Sequence, residues 1–137
     1  MNAPHEQHRR LQQWIQKADH DLKAAEWLFG NQDDPLTEIV CFHTHQCAEK
    51  YLKGFLVFRS IHFPKTHDLV VLMRRVDEHV KLTIDITEII PLNRYAVEAR
   101  YPGDWDAISR DEAEKAIAIA RHLRRAIRAC LPSESSS

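Results

Sequence analysis

Cys41-Phe42-His43-Thr44-His45-Gln46-Cys47-Ala48-Glu49-Lys50-Tyr51-Leu52-Lys53-Gly54 is the stretch whose reading decides the fold. Val40, Cys47, Tyr51, Phe55 and Phe58 recur at helical spacing as one apolar stripe, and Ala48, Leu52 and Leu56 widen it. A helix this apolar is buried on more than one side, and it is predicted to run from Leu36 to about Arg59. Gln46, Lys50 and Lys53 nevertheless fall at i, i+4 and i+7, one polar line along a central helix. Such a line needs partners or must face a wet cleft. A second reading stays open: a solvated edge whose Glu49–Lys53 pair contributes a few tenths of a kcal/mol.

Upstream, Leu11, Trp14, Ile15, Ala18, Leu22, Ala25 and Phe29 outline one buried face of a first helix, which Gly30 and Asn31 should end through a residue tolerant of positive φ. Asp34 before Pro35 reads as the N-cap and first position of the central helix. Downstream, Thr66 or His67 is expected to cap a third helix through Leu69, Leu72, Met73 and Val76. Leu82 to Ile90 is rich in β-branched residues but has no partner strand, so a fourth helix is predicted from about Asp85 to Ala99, with Pro91 near its first turns or kinking it. Residues 100–108 read as a loop. Ser109 with Glu112 forms a capping box opening a fifth helix, whose buried face is Ala113, Ala116, Ile117, Ala120, Leu123 and Ile127. The expected fold is all-α: an up-and-down bundle of four to five helices in one domain, residues 1–131, followed by a disordered tail at 132–137.

Composition agrees with that pattern. The chain has 137 residues, 44% hydrophobic and 28% charged, with three glycines, too few for the turns of a many-stranded fold. A formal net charge of -1 excludes a whole-molecule field that recruits nucleic acid or membrane, so any anion site must be local. Nine histidines can alter that charge near neutrality. Cys41, Cys47 and Cys130 contain no CxxC pair and read as reduced thiols rather than disulfides or zinc ligands. No apolar run approaches the roughly 20 residues needed to span a bilayer, and Met1 to Arg10 lacks the apolar core of a signal peptide. A cytoplasmic location is expected.

Three further features bear on chemistry. Arg100 and Tyr101 stand where a helix should end, a guanidinium beside an aromatic ring that could hold a phosphate and stack on a base; the alternative is a dipole-favoured arginine and a packed ring. His67, in Lys65-Thr66-His67-Asp68-Leu69, reads first as part of a helix start and second as a general base. Arg121, Arg124, Arg125 and Arg128 form a basic stripe on the last helix, able to touch phosphates or simply suited to a helix C-terminus. His43, His45 and Glu49 carry weak metal spacing, because His43 and His45 diverge on a helix; no metal and no cofactor is expected. Trp14, Trp27 and Trp105 are expected in the core or at a dimer contact. Glycine-rich phosphate loops and nucleophile elbows are absent from the sequence.

In this order, Phe42-x-x-x-Gln46-x-x-Glu49-Lys50-x-x-Lys53, Thr66-His67-Asp68-Leu69 and Leu92-Asn93-x-Tyr95 with Arg100-Tyr101-Pro102 resemble the HEPN domain family, over roughly Leu11 to Leu131. The resemblance implies a bundle of four or five helices, usually a homodimer, with polar residues gathered in a cleft at the interface. It implies Gln46, Glu49, Lys50, Lys53, Tyr95, Arg100 and Tyr101 as ligand-binding residues for a nucleotide or RNA. Many prokaryotic members stand beside a minimal nucleotidyltransferase as the toxin half of a toxin–antitoxin pair. Active members are metal-independent RNases using an arginine and, four to six residues on, a histidine. Here Arg100 is followed by Tyr101, Pro102, Gly103, Asp104, Trp105 and Asp106, with no such histidine; Arg74 and His79 match the spacing but fall on the third helix. The readings carried forward are a binding module acting with a nucleotidyltransferase, an RNase toxin using His67 and Arg100, and a non-catalytic protein-interaction scaffold.

Overall fold

The computed structural model describes residues 3–31, 33–96 and 107–132. Among them are α1 (Ala3–Phe29), α2 (Thr37–Phe58), α3 (Leu69–Asp77), a single turn α4 (Ile86–Ile89) that tightens into a 3₁₀ segment (Ile90–Tyr95), and α5 (Arg110–Arg128). The described residues contain no strand, and the molecule is the all-α bundle that the periodicity predicts.

Helix α2 is the axis. Val40, Cys41, Cys47, Ala48, Leu52, Phe55 and Leu56 are wholly buried, because α1, α3 and α5 all pack on it. Cross-links set the directions: Asp21 of α1 meets Lys50, Asp19 meets Tyr51, and Trp14 lies over Gly54, so α1 and α2 are antiparallel. Gly54 permits that approach, since a Cβ there would stand 2.7 Å from the Trp14 Cβ. Helix α5 is antiparallel to α1, with Arg121 on Glu26 and Arg124 on Asp19. The α4–3₁₀ limb returns antiparallel to α5, with Glu88 against His122 and Tyr95 against Glu112.

Several element ends differ from the sequence reading. The residue before α2 is Leu36 in left-handed conformation (φ 51°), not Asp34; Asp34 Oδ1 instead accepts the Leu36 N–H at 3.1 Å, an Asx turn that competes with the N-cap role. Gly30 follows α1 without positive φ. Asp68 caps α3, accepting from the Val70 N–H at 2.9 Å, while Thr66 Oγ1 accepts from Asp68 N–H at 3.0 Å one step earlier. At the end of α2, Ser60 takes φ 57° while the Ile61 and Ser60 N–H groups return to the Leu56 and Val57 carbonyls, a Schellman motif with serine where glycine is usual.

The predicted fourth helix is shorter than expected. Pro91 has no N–H for the carbonyl four residues back, so the α-ladder stops after one turn and the chain continues as 3₁₀. Its predicted end, residues 97–99, and the 100–106 loop lie outside the described residues, as does the tail after Pro132. On α5, Ser109 Oγ accepts from the Glu112 N–H at 3.0 Å as predicted, but the Glu112 carboxylate turns to Arg94 and Tyr95 rather than back to the cap. Trp27 is not a core residue: it is 83% exposed.

Candidate functional site: a buried carboxylate where three segments meet

The polar line on α2 resolves into two ion clusters because successive side chains at this spacing drift around the helix. Glu49, 5% exposed, is the centre of the first. Its carboxylate accepts from Lys53 Nζ at 2.8 Å, one turn on, and from His67 Nδ1 at 2.8 and 3.0 Å across the loop before α3. His45, fully buried one turn before, places Nδ1 3.7 Å from the same carboxylate. Its Nε2 donates to the His67 carbonyl at 3.0 Å, so that nitrogen carries the proton, because a carbonyl only accepts. A carboxylate this deep is tolerable only when cations and donors surround it. Glu49 therefore ties α2 to the His67 loop.

The third sequence block closes the same corner. Asn93 of the 3₁₀ segment accepts from the Leu69 N–H at 2.8 Å and donates to Asp68 at 2.9 Å. The Asn93 amide, aided by the Val70 and Val71 N–H groups, holds the Asp68 carboxyl below its ordinary range. Residues that stand far apart in the chain, Glu49, His67 and Asn93, thus converge at the start of α3.

Chemically, a histidine whose Nδ1 donates to a fixed carboxylate is held in one tautomer and orientation, with Nε2 as its basic nitrogen. The His67 side chain is half exposed while Glu49 beneath it is not. That arrangement suits anion recognition when the ring is protonated and proton transfer when it is neutral.

The second cluster faces α1. Asp21 accepts from His43 Nδ1 at 2.8 Å and from Lys50 Nζ at 2.6 Å. Beside it Asp19 accepts from the Tyr51 hydroxyl and from Arg124 Nε at 2.9 Å. Of the predicted ligand residues, Glu49 and Lys53 therefore sit together with His67, Lys50 joins the α1 cluster, and Gln46 is half-buried a turn before it. Tyr95 is buried, its hydroxyl donating to Glu112, which also takes Arg94 Nη1 at 2.9 Å. Arg100 and Tyr101 lie outside the described residues. Arg74 and His79 stand at the far end of α3 from His67. His43 and His45 point to different carboxylates, and the described residues hold no group of three or more metal-ligating side chains. Sequence reasoning missed Asp21 and the structural part played by Asn93; a carboxylate on the otherwise apolar face of α1 was the available signal for Asp21.

An α-helical bundle organised around a buried ion cluster on its central helix is the class that fold and site define. The sequence profile of the HEPN domain matches residues 11–130, and the chain belongs to that family. Among solved structures it is similar to TT1696 from Thermus thermophilus, at 27% identity and a TM-score of 0.76, over 89% of this chain and 98% of that one. It also shares its fold with ST0689, an archaeal HEPN homologue, at 24% identity and a TM-score of 0.66, over 88% and 96% of the two chains. No curated protein matches the chain in sequence.

Proposed function

We propose that this chain is a HEPN binding module that takes a nucleotide or RNA phosphate at the His67 corner, as a cytoplasmic homodimer acting with a separate nucleotidyltransferase partner in a toxin–antitoxin-type system. One observation carries the ligand site: Glu49 fixes half-exposed His67 beside Lys53, where the three family blocks converge. Arg100, in the segment that follows Ala96, is the proposed phosphate-binding guanidinium, and Tyr101 the stacking ring. The three cysteines are free thiols, in keeping with a reducing compartment. The partner and the dimer rest on the family resemblance.

Titration of labelled short RNA and of ATP, followed by anisotropy at low salt, tests the site. His67→Ala and Arg100→Ala should each weaken binding by about 1 to 3 kcal/mol, the range for a lost charged hydrogen bond. Unchanged affinity in both variants removes this corner from consideration and leaves the scaffold reading. A monomer by sedimentation at working concentration refutes the dimer.

The Glu49–His67 pair specifically favours a second reading, metal-independent RNA cleavage. His67 Nε2 would take the proton of the 2′-hydroxyl, whose oxygen attacks phosphorus as the bond to the 5′-oxygen breaks; Arg100 would stabilise the phosphorane and the leaving 5′-oxygen would take a proton from solvent water. Labelled RNA incubated with the protein in chelator decides this reading: no cleavage above a His67→Ala control rejects it.

A further inference from the structure

Between α1 and α5 lies an open groove of about 410 Å³ whose wall holds four cations, Lys23, Arg121, Arg124 and Arg125, against two carboxylates, Asp19 and Glu26, with the core residue Leu22 also lining it. The whole chain carries nearly equal numbers of acidic and basic residues (20 and 19), so this excess is a local feature. The two carboxylates are already engaged: Glu26 orients Arg121 at 2.7 Å, and Asp19 orients Arg124 at 2.9 Å. Lys23 and Arg125 have no acidic partner among the described residues. Lys23 also lines the adjoining hollow, and one turn further along the same helix face stands Trp27, its ring 83% exposed.

Exposing a tryptophan forgoes the burial of a large apolar area, and here the ring lines a hollow with His20, Ala24 and Lys23, the lysine shared with the cationic groove. An exposed aromatic ring in the hollow adjoining a groove of oriented guanidiniums and unneutralised cations matches one chemistry well: a chain of phosphates carrying stackable rings. We propose that the α1–α5 groove is a docking site for single-stranded nucleic acid, with Trp27 stacking on a base and Lys23, Arg121 and Arg125 meeting the phosphates. The groove shares no residue with the His67 corner and does not depend on it.

Anisotropy titrations with a labelled 20-nucleotide RNA and a DNA of the same sequence, across a salt series, test the site. Lys23→Glu with Arg125→Glu should weaken binding at least tenfold and flatten the salt dependence by about two counterions, since two phosphate contacts are removed. Trp27→Ala should weaken binding by roughly five- to hundredfold, with Trp27→Phe intermediate. All three side chains are exposed, and an unchanged melting temperature verifies that the fold is intact. Loss in the groove variants with none in His67→Ala supports the groove while discarding the corner. Unchanged affinity and salt slope for both strands overturn the groove, whether or not the same variants lose binding to polyglutamate, which would mark an acidic protein partner.

Discussion

Helices α2 and α5 are of similar length, 22 and 19 residues, and both run antiparallel to α1, yet they carry charge in opposite ways. On α5 the alanines, Leu123 and Ile127 make one narrow buried stripe, and its arginines stand in or near water. On α2 almost every direction is interior, so Glu49 and His45 are buried and Lys53 nearly so. A charge anywhere on α5 outside that stripe costs little. A charge on α2 is tolerable only if another group closes around it, and Glu49 draws on Lys53 of its own helix and on His67 from the loop before α3. The polar residues of α2 therefore report which segments meet, whereas those of α5 report which surface stays in water.

The sharpest way to break that contrast is Glu49→Ala. Lys53 and His45 would be left buried without their carboxylate, and the expected loss is about 3 to 5 kcal/mol by urea unfolding at neutral pH. A loss below about 1 kcal/mol would mean that α2 is as forgiving as α5.

Alkaline pH should expose the next difference. Burial above all, then the Asp19 and Asp21 charges, pushes the Cys47 thiol far above its ordinary range, and burial with the hydrogen bond to Asp19 does the same to the Tyr51 hydroxyl. A group whose folded pKa is raised contributes stability that is whole below its unfolded pKa and is lost as pH climbs. The folding equilibrium should thus fall from about pH 8.5, by roughly tenfold per pH unit for the thiol, with Tyr51 adding to the slope above about pH 10. Cys47→Ala should flatten the first part of that slope in denaturation series between about pH 8 and 10. An unaltered slope would place the alkaline sensitivity elsewhere.

A smaller effect belongs to the joint between α2's cluster and α3. Asp68→Ala removes the cap on Val70 and the partner of Asn93, and should cost about 1 kcal/mol. Because the folded Asp68 carboxyl is depressed, its contribution is present above the unfolded value near about 4 and disappears as pH falls through the folded one; the variant and the parent should converge in acid. On the α5 side, Glu26→Ala breaks a half-exposed ion pair with Arg121 and should change stability by less than about 0.5 kcal/mol.

Much of this was legible in the order of residues. The spacing of Leu11, Ile15, Ala18, Leu22 and Ala25 predicted α1's buried face, and Ala113, Ala116, Ala120 and Leu123 predicted that of α5; all are buried. Reading Gln46, Lys50 and Lys53 as a single line was less successful, because spacing places residues on a helix but does not say which neighbour arrives against each flank. Lys50 reaches Asp21 and Lys53 reaches Glu49. The helix predicted over 85–99 extended a hydrophobic period through Pro91, where a missing N–H outweighs the pattern. Trp27 was assigned to core or contact on residue type alone, and residue type carries no information about which way a helix face turns at its end.

Hydrophobic periodicity alone determined that the chain is a helical bundle with α2 at its centre, since period and burial are properties of neighbouring residues on one chain. The pairing of Glu49 with His67, of Asp68 with Asn93, and the open cationic groove between α1 and α5 were decided only by the tertiary arrangement. Those features join residues from separate elements, and their distances depend on how the helices are directed and packed, which no local pattern encodes.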